Sequence, residues 1–164
     1  MEEKEIKEEI FEKIIPEYYV YYKEGVLNDY SEASEFIQNS GMERLNLNPN
    51  IKCVEPDYCF VNYLDGEYKE KNIKIRYSQA VKKEKEPFKE NESIKFMDIP
   101  ETKCICIYHK GSYEELSVSY GKIMKYIEDN ELEIIDFTRE CYIDGIWNKE
   151  NIEDWLTEIQ VPIK

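Results

Sequence analysis

Apolar and polar positions along the chain alternate between two periods, two residues and about three and a half, and the switches between them divide it into elements. Residues 10–25, IFEKIIPEYYVYYKEG, are rich in β-branched and aromatic side chains and predict strand on either side of Pro16, a residue suited to an edge or bulge; Gly25 closes the run. Asp29-Tyr30-Ser31 offers N-cap residues for a helix carrying Ala33, Phe36 and Ile37 at helical spacing and ending near Gly41. After a polar loop at 46–50, the arms 58–63 and 73–77 predict a hairpin with Asp65-Gly66 as its turn signal.

The stretch 82–92, KKEKEPFKENE, is charged, contains Pro87 and predicts a linker. Beyond it the pattern restarts, with a strand at 104–108 closed by Lys110-Gly111. A helix from Tyr113 to Asn130 follows, with Leu116, Tyr120, Ile123, Met124 and Ile127 as its apolar stripe. Strands are predicted at 134–143 and 155–161, flanking a segment that carries Trp147. Met1–Glu9 alternates charge and predicts a frayed helical turn or a solvated lead-in.

The two halves follow one order, strand, helix, strand, strand. Ile15-Pro16-Glu17 matches Ile99-Pro100-Glu101, and Tyr30 and Tyr113 open the two helices. The expected organisation is one domain over residues 1–164, with one repeat at about 10–81, the charged linker at about 82–92 and a second repeat at about 93–164. Such units bury their one-faced sheets only by packing together, which predicts an α+β fold with a cleft where the sheets meet.

Composition narrows the function. The 36 acidic and 22 basic residues give a net charge of −14, which repels phosphate backbones and anionic membrane surfaces, so neither nucleic acid nor membrane is expected as a direct partner. No apolar run reaches membrane-spanning length and the acidic start is unlike a signal peptide, so the expected location is cytoplasmic. Five cysteines without a CxxC pair, and a single histidine, His109, provide no metal-ligand spacing; the cysteines are expected reduced and mostly buried, with no metal or other cofactor. His109, beside Lys110 at a strand end, is expected to be a surface or hydrogen-bonding group. The 14 tyrosines are the marked excess, large rings with a polar tip that recur in binding surfaces.

Within 134–143, IIDFTRECYI, alternation places Thr138, Glu140 and Tyr142 on one face and Phe137, Arg139 and Cys141 on the other. Glu140 is then either a solvent-facing carboxylate or an acid lining a pocket. Tyr142 shares whichever fate Glu140 has. Tyr22 and Tyr108 end equivalent strands, Tyr58 opens a hairpin arm, Trp147 suits a lid or plug, Trp155 suits the core, and Glu158 faces either a groove or solvent.

These residues resemble a known family. Ile99-Pro100 before a strand, Tyr108-His109-Lys110-Gly111-Ser112-Tyr113 at its turn, Arg139-Glu140-Cys141-Tyr142, and the ending Leu156 to Ile163, LTEIQVPI, are similar to the GyrI-like effector-binding domains of MerR-type and AraC-type transcription regulators, which also occur free-standing. Ser112 stands where the family often has proline. With no helix-turn-helix in the sequence, either a free-standing member or a fragment of a regulator is expected, and Met1 favours the first expectation.

The resemblance implies two pseudo-twofold-related β-α-β-β repeats, with a curved antiparallel sheet forming a groove and two helices on its outer side. It also implies a lipophilic, cationic, amphipathic small molecule as ligand, read by Glu140 with Tyr142, Tyr108, Tyr22, Tyr58, Trp147 and Glu158 around it. A sensing or sequestering module ranks first. A hydrolase of electrophilic small molecules with Glu140 and Tyr142 as its acid–base pair ranks second, so catalysis stays the lesser expectation. A module binding a protein partner, a regulator or gyrase, ranks third.

Overall fold

A computed structural model describes residues 10–66 and 69–164; the lead-in Met1–Glu9 lies outside the described residues. The fold is α+β. Its strands are β1 (Ile10–Ile15), β2 (Tyr18–Leu27), β3 (Cys59–Tyr63), β4 (Ile73–Ala80), β5 (Lys95–Ile99), β6 (Thr102–Lys110), β7 (Arg139–Asp144) and β8 (Leu156–Ile163); its helices are α1 (Ala33–Leu47) and α2 (Leu116–Asp129).

The chain divides into two compact units. One is Pro16–Pro100, and the other joins Glu101–Lys164 to the strand that precedes Pro16. In the first the strands lie in the order β3-β4-β2-β5; in the second the order is β1-β6-β8-β7, and all the pairings within each unit are antiparallel. Each of the two predicted repeats therefore gives its first strand to the sheet of the other, across a proline. β1 leads directly into β2 yet pairs with β6, from Ile10 opposite Ile107 to Ile15 opposite Thr102. β5 leads into β6 yet pairs with β2, from Tyr18 opposite Ile99 to Tyr22 opposite Lys95. Pro16 and Pro100 lie outside the strands, where a missing N–H breaks no ladder.

In the unit built on β6, α2 lies on the face that carries Ile105, Ile107, Ile159, Val161 and Ile163. Its own Ile123 and Ile127 close that core, with Leu116, Tyr120 and Met124 packed against it. The predicted stripe is the buried one, and each fully buried isoleucine contributes about 1.5–3 kcal/mol relative to exposure.

Several boundaries differ from the sequence expectation: β2 runs past Gly25 to Leu27, β4 runs on to Ala80, and β6 extends beyond 104–108 at both ends. α1 continues past Gly41 to Leu47; Gly41 faces open space, and the helix stops at Asn48, whose side chain bonds the backbone of Lys89 in both directions, at 2.9 and 3.0 Å. The strand predicted from 134 begins at Arg139. Extending the Arg139–Gln160 register backwards sets Phe137 opposite Pro162, which has no N–H to offer, and Ile134, Ile135 and Phe137 are exposed. The last strand, in turn, runs on to Ile163.

Candidate ligand-binding site

Directly opposed residues on antiparallel strands share a face, so the register of β6, β8 and β7 sets two rows of side chains beneath α2. One row is Ile107, Ile159 and Glu140; the next is His109, Thr157 and Tyr142. Glu140 is a buried residue at 6% exposure, held by two tyrosines. The Tyr142 hydroxyl donates to its Oε1 at 2.7 Å, and the Tyr120 hydroxyl, reaching down from α2, donates to its Oε2. No lysine or arginine pairs with Glu140 among the described residues. Burial pushes its carboxyl above the usual carboxylate range, while the two tyrosine hydroxyls and the nearby His109 hold it back.

His109 is the hydrogen-bonding group of its two expected roles, and it is buried. Its Nε2 lies 2.7 Å from the Ser112 carbonyl oxygen, which only accepts, so Nε2 carries a proton; Nδ1 then accepts from the Ser119 hydroxyl of α2 at 2.8 Å when the ring is neutral. Aromatic rings continue from Tyr142. Its ring meets Tyr113 edge-on at 5.6 Å, and Tyr113 packs on Trp155 at 5.1 Å. Burial, and then the Glu140 charge, raise the Tyr113 hydroxyl above its ordinary value.

The opposite face of the same strands carries a second buried glutamate. Glu158 lies in a row with Tyr108 and Cys141, and its carboxylate pairs with Lys13 of β1 at 3.1 Å and accepts from Gln160 at 2.8 Å. Burial alone would lower the Lys13 ammonium, but Glu158 outweighs it and the net shift is upward. Tyr108 packs there against Phe11, with ring centres 5.4 Å apart. Three of the free cysteines, Cys104, Cys106 and Cys141, are buried in this face or beside it.

The sequence-derived candidates therefore fall into separate places. Glu140 and Tyr142 are joined; Tyr108 and Glu158 share a sheet with them but point the other way. Trp147 is 55% exposed in the loop after β7, its ring lying over Gly145. Tyr22 and Tyr58 belong to the other unit. Tyr22 shares a face with Ser78 and Phe60, away from α1, and Tyr58 stacks on Tyr18 at 4.8 Å. Four residues around Glu140 were not chosen from sequence. Tyr120 reads as one more apolar stripe residue, Tyr113 as a helix opener, Trp155 as core and His109 as a surface or hydrogen-bonding group. The hydroxyl of a tyrosine on an otherwise apolar helix stripe is the one sequence signal for Tyr120. Among the described residues no cluster of three or more His, Cys, Asp or Glu is placed to hold a metal ion, and no helix is long and apolar enough to cross a membrane.

Comparison with known proteins identifies the family. The family model for the GyrI-like small molecule binding domain matches residues 5–164. The EcmrR C-terminal domain is 39% identical over 95% of this chain and 97% of its own, with a TM-score of 0.84. The longer EcmrR chain, solved with DNA in the complex named EcmrR-RPo, is 38% identical with a TM-score of 0.86, and the match spans 57% of its length and 95% of this chain. A Listeria innocua protein described as a hydrolase, encoded by lin2189, is 14% identical over 99% of this chain and 97% of its own with a TM-score of 0.65, a likeness of fold alone. No curated protein matches.

Proposed function

We propose, for a chain that belongs to the GyrI-like small molecule binding domains, that it binds lipophilic cations beneath α2 and reads their charge with Glu140. The observation that carries this reading is the contrast between two buried glutamates: Glu158 is paired with Lys13, while Glu140 hydrogen-bonds two tyrosine hydroxyls and no lysine or arginine pairs with it among the described residues. A buried carboxylate without a counter-charge is costly to hold, and a ligand that brings the charge relieves that cost. The rings of Tyr142, Tyr113 and Tyr120 add attraction for a cation of about 0.5–2 kcal/mol each. The binding would serve a sensor or a sequestering module.

Tetraphenylphosphonium is the first probe, since SAV2435, 16% identical with a TM-score of 0.53, was solved bound to it. Calorimetric titration is expected to show binding by the native chain and at least about tenfold weaker binding by Glu140→Gln. Equal affinities would remove Glu140 as the charge reader.

One observation favours a second reading. A carboxyl that retains its proton more readily than usual, 2.7 Å from a tyrosine hydroxyl, has the makings of a general acid, and hydrolysis of an electrophilic ring would draw on it. Incubation with an electrophilic cyclopropane separates the two, because ligand binding with no product above buffer leaves only the first.

A further inference from the structure

Two buried polar atoms in the unit that holds Glu140 lack a partner among the described residues. Thr157 Oγ1 and Trp155 Nε1 are each shielded from solvent without a hydrogen bond among the described residues, and Thr157 is fully buried. Buried donors are nearly always satisfied, so each such atom calls for a physical reason. Both belong to the site by position. Thr157 stands in register between His109 and Tyr142, on the face under α2, and Trp155 reaches Tyr142 through the Tyr113 ring. Their neighbours are already committed. His109 is spent on Ser112 and Ser119, and the Tyr142 hydroxyl donates to Glu140.

The chemistry of the pair is narrow. An indole N–H only donates, and a threonine hydroxyl donates as readily as it accepts. Charge reading by Glu140 asks nothing of either atom. We infer that the ligand of this site carries a hydrogen-bond acceptor, a carbonyl or ether oxygen, on the same framework as its positive charge, and that Trp155 Nε1 and Thr157 Oγ1 receive that acceptor while Glu140 receives the charge. This rests on the binding function proposed above and adds to it the class of ligand. A bare lipophilic cation leaves the two donors unmet, and a cation with an acceptor satisfies at least one of them; sites built around a buried donor discriminate against analogues that cannot fill it.

The test uses matched probes. 1-Methylquinolinium and its 5-, 6- and 7-acetyl derivatives are titrated calorimetrically against the native chain, Trp155→Phe, Thr157→Val, Thr157→Ser and Glu140→Gln. At least one acetyl isomer is expected to bind the native chain about tenfold tighter than the parent cation. That advantage, taken as the ratio of acetyl isomer to parent cation within each variant, is expected to shrink to about threefold or less in Trp155→Phe or Thr157→Val and to survive in Thr157→Ser. If no isomer gains over the parent, or if the gain persists in both Trp155→Phe and Thr157→Val, the acceptor assignment is overturned while charge reading stands. If the parent binds Glu140→Gln as well as the native chain, or no cation binds at all, charge reading itself fails and this inference falls with it. Thr157→Ser guards against a variant that merely loosens the fold, since it too disturbs the packing but keeps the hydroxyl.

Discussion

Glu140 and Glu158 are buried on adjacent strands of one sheet and point to opposite sides of it, because Glu158 pairs in register with Cys141, the residue after Glu140. One carboxylate is neutralised by the chain's own lysine and the other is cushioned by tyrosines. That division separates an acid neutralised within the fold from one with no lysine or arginine beside it among the described residues, and it makes their substitutions behave differently.

Stability should depend on pH through Glu140. The folded carboxyl binds its proton more tightly than the ordinary value of 4.5, so the folded state holds more protons than the unfolded state from 4.5 up to the raised folded value. Across that window the contribution of Glu140 to stability falls as pH rises; it is fully favourable below the window and lost above it. Urea denaturation of the native chain and Glu140→Gln across pH 4–8 should therefore show the variant gaining relative stability with rising pH, then levelling. A difference that does not vary with pH would refute the shift.

Cation binding should release a proton within the same window. Calorimetry in two buffers of different ionisation enthalpy is expected to show net release that vanishes in Glu140→Gln. Tyr120→Phe and Tyr142→Phe each remove a hydrogen bond that favours the ionised carboxyl, so both should move the midpoint of cation affinity to higher pH.

Lys13→Met leaves Glu158 buried without its counter-charge. The lysine side chain is 42% exposed, so solvent screens part of the pair, and the expected loss is about 1–3 kcal/mol in urea denaturation rather than the larger cost of a fully enclosed pair. Affinity for tetraphenylphosphonium should stay within about twofold of native, because the change lies on the face away from Glu140.

Two glycines predict opposite outcomes. A methyl group at Gly25 would stand 2.5 Å from the Phe36 ring of α1, so Gly25→Ala should destabilise the chain by about 1–3 kcal/mol. At Gly41 nothing stands within 4 Å and the residue is helical, so Gly41→Ala should stabilise it by about 0.5–1 kcal/mol. Thermal denaturation of both variants checks the pair.

What the sequence revealed follows from the range of the forces involved. The α2 stripe was legible because five apolar residues at helical spacing admit one buried face. Glu140 and Tyr142 were legible as a pair because strand alternation is local. The end of α1 was not, since it depends on Asn48 reaching Lys89, 41 residues away. Nor was the start of β7, which is decided by Pro162 on another strand. Tyr120 was hidden by its own double character. A ring that packs on the core counts as apolar until the carboxylate beneath it is known.

The exchange of edge strands at Pro16 and Pro100 also bears on how the chain acquires its fold. Ile10 must wait for Ile107, so the first strand to leave the ribosome is among the last to find its neighbour. The segment Pro16–Pro100 already contains β2, β3, β4 and β5 and can close as soon as it is made. A nascent chain halted after Pro100 would then display β1 as an unpaired, adhesive edge, and long-range pairings of this kind slow folding. Synthesis of β6 ends that exposure, and β8 and β7 must then follow before the floor beneath Glu140 is complete.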